Sequence, residues 1–314
     1  MNKFPNGVDI NNLIDDLRIF SWEAADIMIY YSKLIRDTSK NINLIKNNNF
    51  DNPVTLADLE VNELIIRRIN EKYKDINWTL LSEENAKVDS YRLEKNSEWC
   101  WVLDPLDGTK DFIQGTGNYA MHLALNYKNQ SYIGVVIIPE KNELWFSNGE
   151  KIWGERRDRS DIKTNLSNTK ILQDMKIVTS KNHTNKTLNN LIEKVKFKDV
   201  IVMESIGCKI ASILRGESDI YICLSLPGKS SPKDWDFAAP DALLKSAGGA
   251  ITTLDNNELI EENELLLADR KELISQIETL QMQKENLIAV IFSMEILLMY
   301  GELENSSNFV KLKV

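Results

Sequence analysis

The sequence predicts an α/β protein with an N-terminal α+β part built on an antiparallel sheet, followed by a C-terminal part in which strands and helices alternate. Three observations predict it: an amphipathic helical stripe opens the chain, strand-like segments joined by short polar turns fill its middle, and strand-then-helix alternation begins after about residue 160.

The first stripe is Ile10, Leu13, Leu17, Phe20, Ala24, Ile27, Tyr31 and Leu34, apolar at alternating steps of three and four, which places one face of a helix against a core. A polar stretch over 38–52 separates it from Thr55-Leu-Ala-Asp58, a capping-box pattern that starts a second helix running to about residue 69. Strands are expected at 78–81 and 99–103, each running into an acidic cluster. Further strands at 119–127, 131–138 and 143–146 are joined by Lys128-Asn129-Gln130 and Glu140-Lys141-Asn142, so consecutive hairpins build the antiparallel sheet.

The charged, aperiodic stretch 155–170 marks a domain boundary, which gives an N-terminal domain over 1–160 and a C-terminal α/β domain over 161–280. Within the latter, strands at 177–179, 200–203 and 220–224 alternate with helices near 185–196 and 209–215. A helix over 236–247, closed by Gly248-Gly249, precedes strands at 250–254 and 265–268. From Leu273 to Leu298 a heptad rhythm predicts a C-terminal helical extension over 281–314. That helix either covers its own domain or forms a homodimer seam, and a non-catalytic scaffold recruiting a partner through these heptads is the reading from another class.

Composition narrows the function. With 43% hydrophobic and 27% charged residues the chain reads as an ordinary folded protein, and a net charge of −9 argues against a nucleic-acid polymer as partner. Three cysteines in no paired spacing offer neither a disulfide framework nor a zinc site. The start lacks a signal-peptide pattern, and the apolar run 287–300 is shorter than the ~20 residues that cross a bilayer. A cytoplasmic protein away from membranes is expected.

The chemistry concentrates in Asp104-Pro-Leu-Asp107-Gly108-Thr109-Lys110-Asp111-Phe112. Asp-Pro is expected to stop the strand ladder and Asp107-Gly108 to turn the chain, holding two carboxylates on a tight loop. A few rigid carboxylates suit Mg²⁺, and Leu106 can add its backbone carbonyl. If a helix starts after Gly108, the amides of Gly108, Thr109 and Lys110 point at an anion, and the Thr109 hydroxyl can orient a water. Glu83-Glu84 ends another apolar strand and reads either as ligands or as solvated surface; Asp236, opening a helix, reads either as a ligand or as a simple cap. Gathered together, these acids repel one another unless cations neutralise them, and two ions ~3.5–4 Å apart would ready a water for attack on phosphorus. Of the two histidines, His122 alternates within an apolar strand and reads as structural.

Four blocks resemble the inositol monophosphatase superfamily of lithium-sensitive, Mg²⁺-dependent phosphatases: Pro53-Val-Thr-Leu-Ala-Asp58, Leu81-Ser-Glu83-Glu84, Asp104-Pro-Leu-Asp107-Gly-Thr109, and Trp235-Asp236-Phe-Ala-Ala with Gly248-Gly249. Gly108-Thr-Lys-Asp-Phe112, Ser180-Lys-Asn-His183 and Ser205-Ile-Gly-Cys-Lys209 are similar to its 3′(2′),5′-bisphosphate nucleotidase branch. The resemblance implies a layered αβαβα sandwich with metals in a cleft between its two parts. It also implies two or three Mg²⁺ held by Glu83, Asp104, the Leu106 carbonyl, Asp107 and Asp236. Asp58 and Thr109, with Glu83 assisting, would position the attacking water, and the Gly108 and Thr109 amides would hold the phosphate. Ser180, His183, Ser205, Lys209 and Lys233 would contact the substrate. The expected reaction is removal of the 3′-phosphate of 3′-phosphoadenosine 5′-phosphate, with an inositol or sugar phosphate as the alternative substrate.

Overall fold

Asp9 opens the first helix by accepting from Asn12 N, and α1 (Ile10–Arg36) buries Leu13, Leu17, Phe20, Ala24 and Met28 along one face, close to the expected stripe. The computed structural model describes residues 4–37, 45–47, 54–87, 97–180, 186–225, 232–253 and 286–291. Strands β1 (Ile45–Asn47) and β2 (Val54–Thr55) form a small antiparallel pair, after which Thr55 caps α2 (Leu56–Lys72) in a capping box completed by Asp58. Next come β3 (Thr79–Ser82), the single-turn α3 (Glu83–Ala86), β4 (Trp99–Asp107), the short α4 (Thr109–Gln114), β5 (Ala120–Tyr127) and β6 (Gln130–Ile138). The strands β7 (Glu143–Ser147), β8 (Ile152–Glu155) and β9 (Asp161–Ile162) complete a seven-stranded sheet in sequence order from β3 to β9.

Only the β3–β4 pair of that sheet is parallel; the rest is a meander, as the short polar turns predict. Period-two alternation gives each strand two apolar faces. Trp101, Leu103, Met121, Leu123, Ile133, Val135 and Ile137 pack with α1 and α2 in one continuous core. The opposite face receives α7 (Asp234–Ser246), whose Ala238, Ala239 and Ala242 are buried against the sheet. Gly134 makes this approach possible: a Cβ there would lie 2.5 Å from the Ala239 carbonyl oxygen and 2.8 Å from the Ala242 Cβ.

The second sheet is built from β10 (Lys176–Thr179), β11 (Asp199–Val202), β12 (Ile220–Ser225), β13 (Ala250–Thr253) and β14 (Asn286–Ile291), in the order β11-β10-β12-β14-β13. Its β10–β11 and β10–β12 pairs are parallel, as the alternation with α5 (Lys186–Val195) and α6 (Ile206–Leu214) requires. Met175, Ile177, Leu188, Ile220 and Ile222 form its core.

Three expectations change. The chain does not divide into consecutive segments: one compact unit holds Met1–Lys163, Glu204–Cys208 and Lys233–Ser246, and the other holds Thr164–Met203, Lys209–Pro232 and Ala247–Val314. Helix α7 joins the first unit because its small-residue face packs on the first sheet. Second, β4 does not stop at Asp104-Pro105; it runs to Asp107 through a break in register between those two aspartates. Proline removes one ladder donor, and the strand absorbs the loss as an irregularity. Third, Asn286–Ile291 is a strand paired with β12 and β13, not part of a helical extension. Its Leu-Ile-Ala-Val-Ile run is rich in β-branched residues, and a short apolar run fits either periodicity. The rest of the heptad stretch and the strand expected at 265–268 lie outside the described residues.

The contact at Gly134 yields a direct test. Gly134→Ala is expected to lower stability by about 1–3 kcal/mol through overpacking against α7, read as a lower urea midpoint at unchanged slope.

Candidate metal centre

Asp104, Asp107 and Asp236 come together: one carboxylate oxygen of each lies within 4.8 Å of the others. The register break in β4 is what aims the first two. Asp104 pairs across the ladder with His122 and Asp107 with Ala120, so the two acids, three residues apart, escape strict alternation. Asp104 is buried, and its Oδ1 accepts from Leu106 N at 3.0 Å. Asp236 enters from the start of α7, where its Oδ2 accepts from Lys233 N at 2.5 Å. It is thus not the N-cap that its sequence position suggests but the third residue of the helix, reaching back to the Lys233 amide, and it is the third acid of the group.

The electrostatics are those of a crowded acidic site. Burial first, then the charges of Glu83, Asp107 and Asp236, push the Asp104 carboxyl well above the usual carboxylate range. Glu83 begins α3 behind the Ser82 cap and forms an ion pair with Lys87 at 3.1 Å. It stands outside the group of three, yet it is the largest charge acting on Asp104. Mutually repelling carboxylates, with Asp104 buried and Asp236 only partly so, fit a hard divalent cation, and among the described residues no soft ligand takes part.

Beside the acids, Thr109 starts α4 after Gly108, which adopts a left-handed conformation at φ 85°. A Cβ at Gly108 would lie 2.9 Å from the Asn118 carbonyl oxygen and 3.1 Å from Ser205 Cβ, so glycine is required there on both counts. Thr109 Oγ1 donates to the Leu106 carbonyl at 3.0 Å and lies 3.5 Å from Asp58 Oδ1. That carbonyl keeps a second lone pair for a cation. Asp58 is 2% exposed, and its Oδ2 accepts from Thr55 N at 2.8 Å and Thr55 Oγ1 at 2.5 Å. Burial raises its carboxyl from 3.8 to about 7, against the opposing effect of the Thr55 bonds.

The residues expected to touch substrate behave differently. Ser205 is fully buried and donates to Asp107 Oδ2 at 2.7 Å, so its hydroxyl proton is committed within the protein. Lys209 is also fully buried: its Nζ donates to Ser180 Oγ at 2.7 Å and lies 4.7 Å from the centre of the Tyr221 ring. Ser205 and Lys209 are thus both engaged in internal bonds. Lys233 is exposed, and its main chain caps Asp236. His183 lies outside the described residues.

Sequence reasoning missed the surroundings of Asp107. Gly207 N donates to the same Oδ2 at 3.2 Å, and His122 Nε2 lies 3.1 Å from it. Asp111 Oδ2 accepts from Glu204 N at 3.0 Å. Two carboxylates of the Asp104–Asp111 run thereby hold the segment Glu204–Gly207, which explains why Glu204–Cys208 belongs to the first unit. The available signal was a buried-type histidine in an apolar strand together with a glycine two residues after a serine, which is too generic to pair with Asp107 from sequence.

Comparison with known proteins agrees with this architecture. The model of the inositol monophosphatase family matches residues 16–291. A 3′(2′),5′-bisphosphate nucleotidase CysQ of Buchnera aphidicola subsp. Acyrthosiphon pisum (strain APS) is 29% identical over 209 residues, covering 66% of this chain and 73% of that protein. A Nus factor SuhB of Pasteurella multocida (strain Pm70) is 29% identical over 206 residues, covering 63% of this chain and 70% of its own length. Among solved structures, the IMPase of Thermotoga maritima superposes with a TM-score of 0.63 at 19% identity, covering 89% of this chain and 92% of that one. The inositol monophosphatase of Anabaena (Nostoc) sp. PCC 7120 gives 0.62 at 19% identity, covering 90% and 92%. These structures share the layered α/β fold, and the family match extends over both sheets from within α1 to the end of β14: the chain belongs to the inositol monophosphatase family.

Proposed function

We propose that this protein is a Mg²⁺-dependent phosphomonoesterase that removes the 3′-phosphate of 3′-phosphoadenosine 5′-phosphate. The observation that carries the metal-dependent part is the convergence of Asp104, Asp107 and Asp236 within 4.8 Å in a site where Asp104 is buried. The nucleotide part is supported by the CysQ relative and by Lys110-Asp111-Phe112. An inositol phosphate is the second reading, favoured by the match to the inositol monophosphatase family model.

Asp104, Asp107, Asp236, Glu83 and the Leu106 carbonyl would hold two or three Mg²⁺. The bound metal would polarise the phosphoryl oxygens and lower the pKa of a water. The Thr109 hydroxyl, between the Leu106 carbonyl and Asp58, orients that water. Asp58, with its carboxyl raised to about 7 in the metal-free protein, is poised to take the proton through Thr109 near neutral pH. The Gly108 and Thr109 amides would hold the phosphate, and His183 and Lys233 would meet the nucleotide. A small soluble substrate and a cytoplasmic setting follow from this reading; among the described residues no helix is long and apolar enough to cross a membrane.

Phosphate release measured side by side, with Mg²⁺, on 3′-phosphoadenosine 5′-phosphate and inositol 1-phosphate should be faster on the nucleotide; the reverse order moves the assignment to the inositol phosphate. Asp107→Asn is expected to lower turnover on the order of 100-fold or more by removing a metal ligand, while circular dichroism stays that of the parent. Activity near the parent level at matched Mg²⁺ refutes that role. The buried Asp58 gives a pH test. Since the folded protein favours the protonated acid, its contribution is complete below about pH 4 and is lost as the pH climbs through about 7, a change of roughly 4 kcal/mol. Urea unfolding in chelator at pH 5 and pH 8 should therefore show lower stability at pH 8, with a smaller difference in Asp58→Asn.

A further inference from the structure

Two hydrogen-bond donors and a nearby imidazole surround one oxygen of Asp107. Ser205 Oγ lies 2.7 Å from Oδ2, Gly207 N 3.2 Å and His122 Nε2 3.1 Å. The direction of the serine bond is fixed. Cys208 N donates to Ser205 Oγ at 3.1 Å, so the hydroxyl is an acceptor on that side and gives its single proton to the carboxylate.

His122 has no other visible purpose. It is fully buried, and although Nε2 sits at ion-pair distance from Asp107, neither ring nitrogen completes a well-aligned hydrogen bond among the described residues. A buried imidazole left in this state costs about 1–3 kcal/mol, so its place beside a candidate ligand calls for an explanation. The backbone is shaped around it. A Cβ at Gly207 would lie 2.3 Å from His122 Nε2, so only glycine lets the start of α6 come against the ring while its amide reaches Asp107. Asp111 fastens the preceding residue, Glu204, by its amide.

We infer that Ser205 and His122 are positioning residues that occupy Oδ2 of Asp107, fix the carboxylate's rotation, and direct its other oxygen, Oδ1, to the divalent cation. This rests on the metal-dependent reading above and assigns Ser205 a role in metal affinity where the family resemblance implies substrate contact. A carboxylate free to rotate would bind a cation at an entropic cost that this arrangement removes in advance. Changes in groups that orient a metal ligand commonly alter metal affinity about 10–100-fold.

The test is Mn²⁺ binding to the full chain without substrate, followed by electron paramagnetic resonance of the free ion, with the thermal midpoint of the metal-free protein measured in parallel. Ser205→Ala and His122→Leu should each weaken Mn²⁺ binding about tenfold, and His122→Asn, which keeps a donor, should recover most of the affinity. Ser212→Ala serves as the comparison. It removes a buried hydroxyl bonded to the Lys209 carbonyl at 2.7 Å and to Ser218 at 2.5 Å, and should lower the midpoint without changing Mn²⁺ affinity. If Ser205→Ala and His122→Leu bind Mn²⁺ within twofold of the parent, the inference is overturned; should His122→Leu fail to fold, Ser205→Ala alone decides. A parent protein that binds no Mn²⁺ overturns the metal-dependent reading, and this inference falls with it.

Discussion

Like charges held out of water set the terms for the rest of this molecule. Asp104 is buried within reach of Asp107, Asp236 and Glu83, and each added carboxylate makes ionisation of the others harder. Such an arrangement persists only where the surrounding structure over-determines it and where a cation relieves the repulsion in the working state. The chain supplies the first condition in several ways: a core packed on one face of the seven-stranded sheet, α7 pressed onto the other, and backbone amides donating to Asp104, Asp107 and Asp236.

The acids come from three regions distant in sequence, and each arrives by a different local device. Asp104 and Asp107 sit on either side of a register break around Pro105. Asp236 sits in the first turn of a helix that Gly134 allows close to the sheet. Glu83 follows the Ser82 cap at the end of an edge strand. Stability and function are thus coupled through backbone placement, and a packing contact outside the group of acids, that of Gly134 with Ala239 of α7, bears on where Asp236 lies. The same logic places Glu204–Cys208 with the first unit: Asp107 and Asp111 bind its amides and the Ser205 hydroxyl.

Much of this was legible in the sequence where local rules govern. The stripe from Ile10, the Thr55–Asp58 capping box, the hairpins after Tyr119 and the helix from Asp236 all obey short-range periodicity or capping. Three of the acids expected to bind metal converge, and Thr109 lies beside Asp58. What could not be read depends on contacts between distant segments. Nothing near Ser205 signals that its hydroxyl would be spent on a residue 98 positions away, and nothing near Lys209 signals burial against Tyr221. The strand at Asn286–Ile291 failed for another reason: its apolar run of five residues satisfies both heptad and strand patterns, and only its pairing with β12 and β13 decides.

The interval between Asp104 and Asp107 acts as a ruler. Side chains along a strand alternate, so the two acids share a side only because β4 slips its register over Pro105 and Leu106. Pairing those same residues in strict register, without the slip, would swing Asp107 to the opposite side of the sheet, away from Ser205, while the ladder from Trp99 to Leu103 kept its partners on β5. The slip itself, more than the identity of the residue at position 106, is the feature this segment must keep for acids spaced three apart.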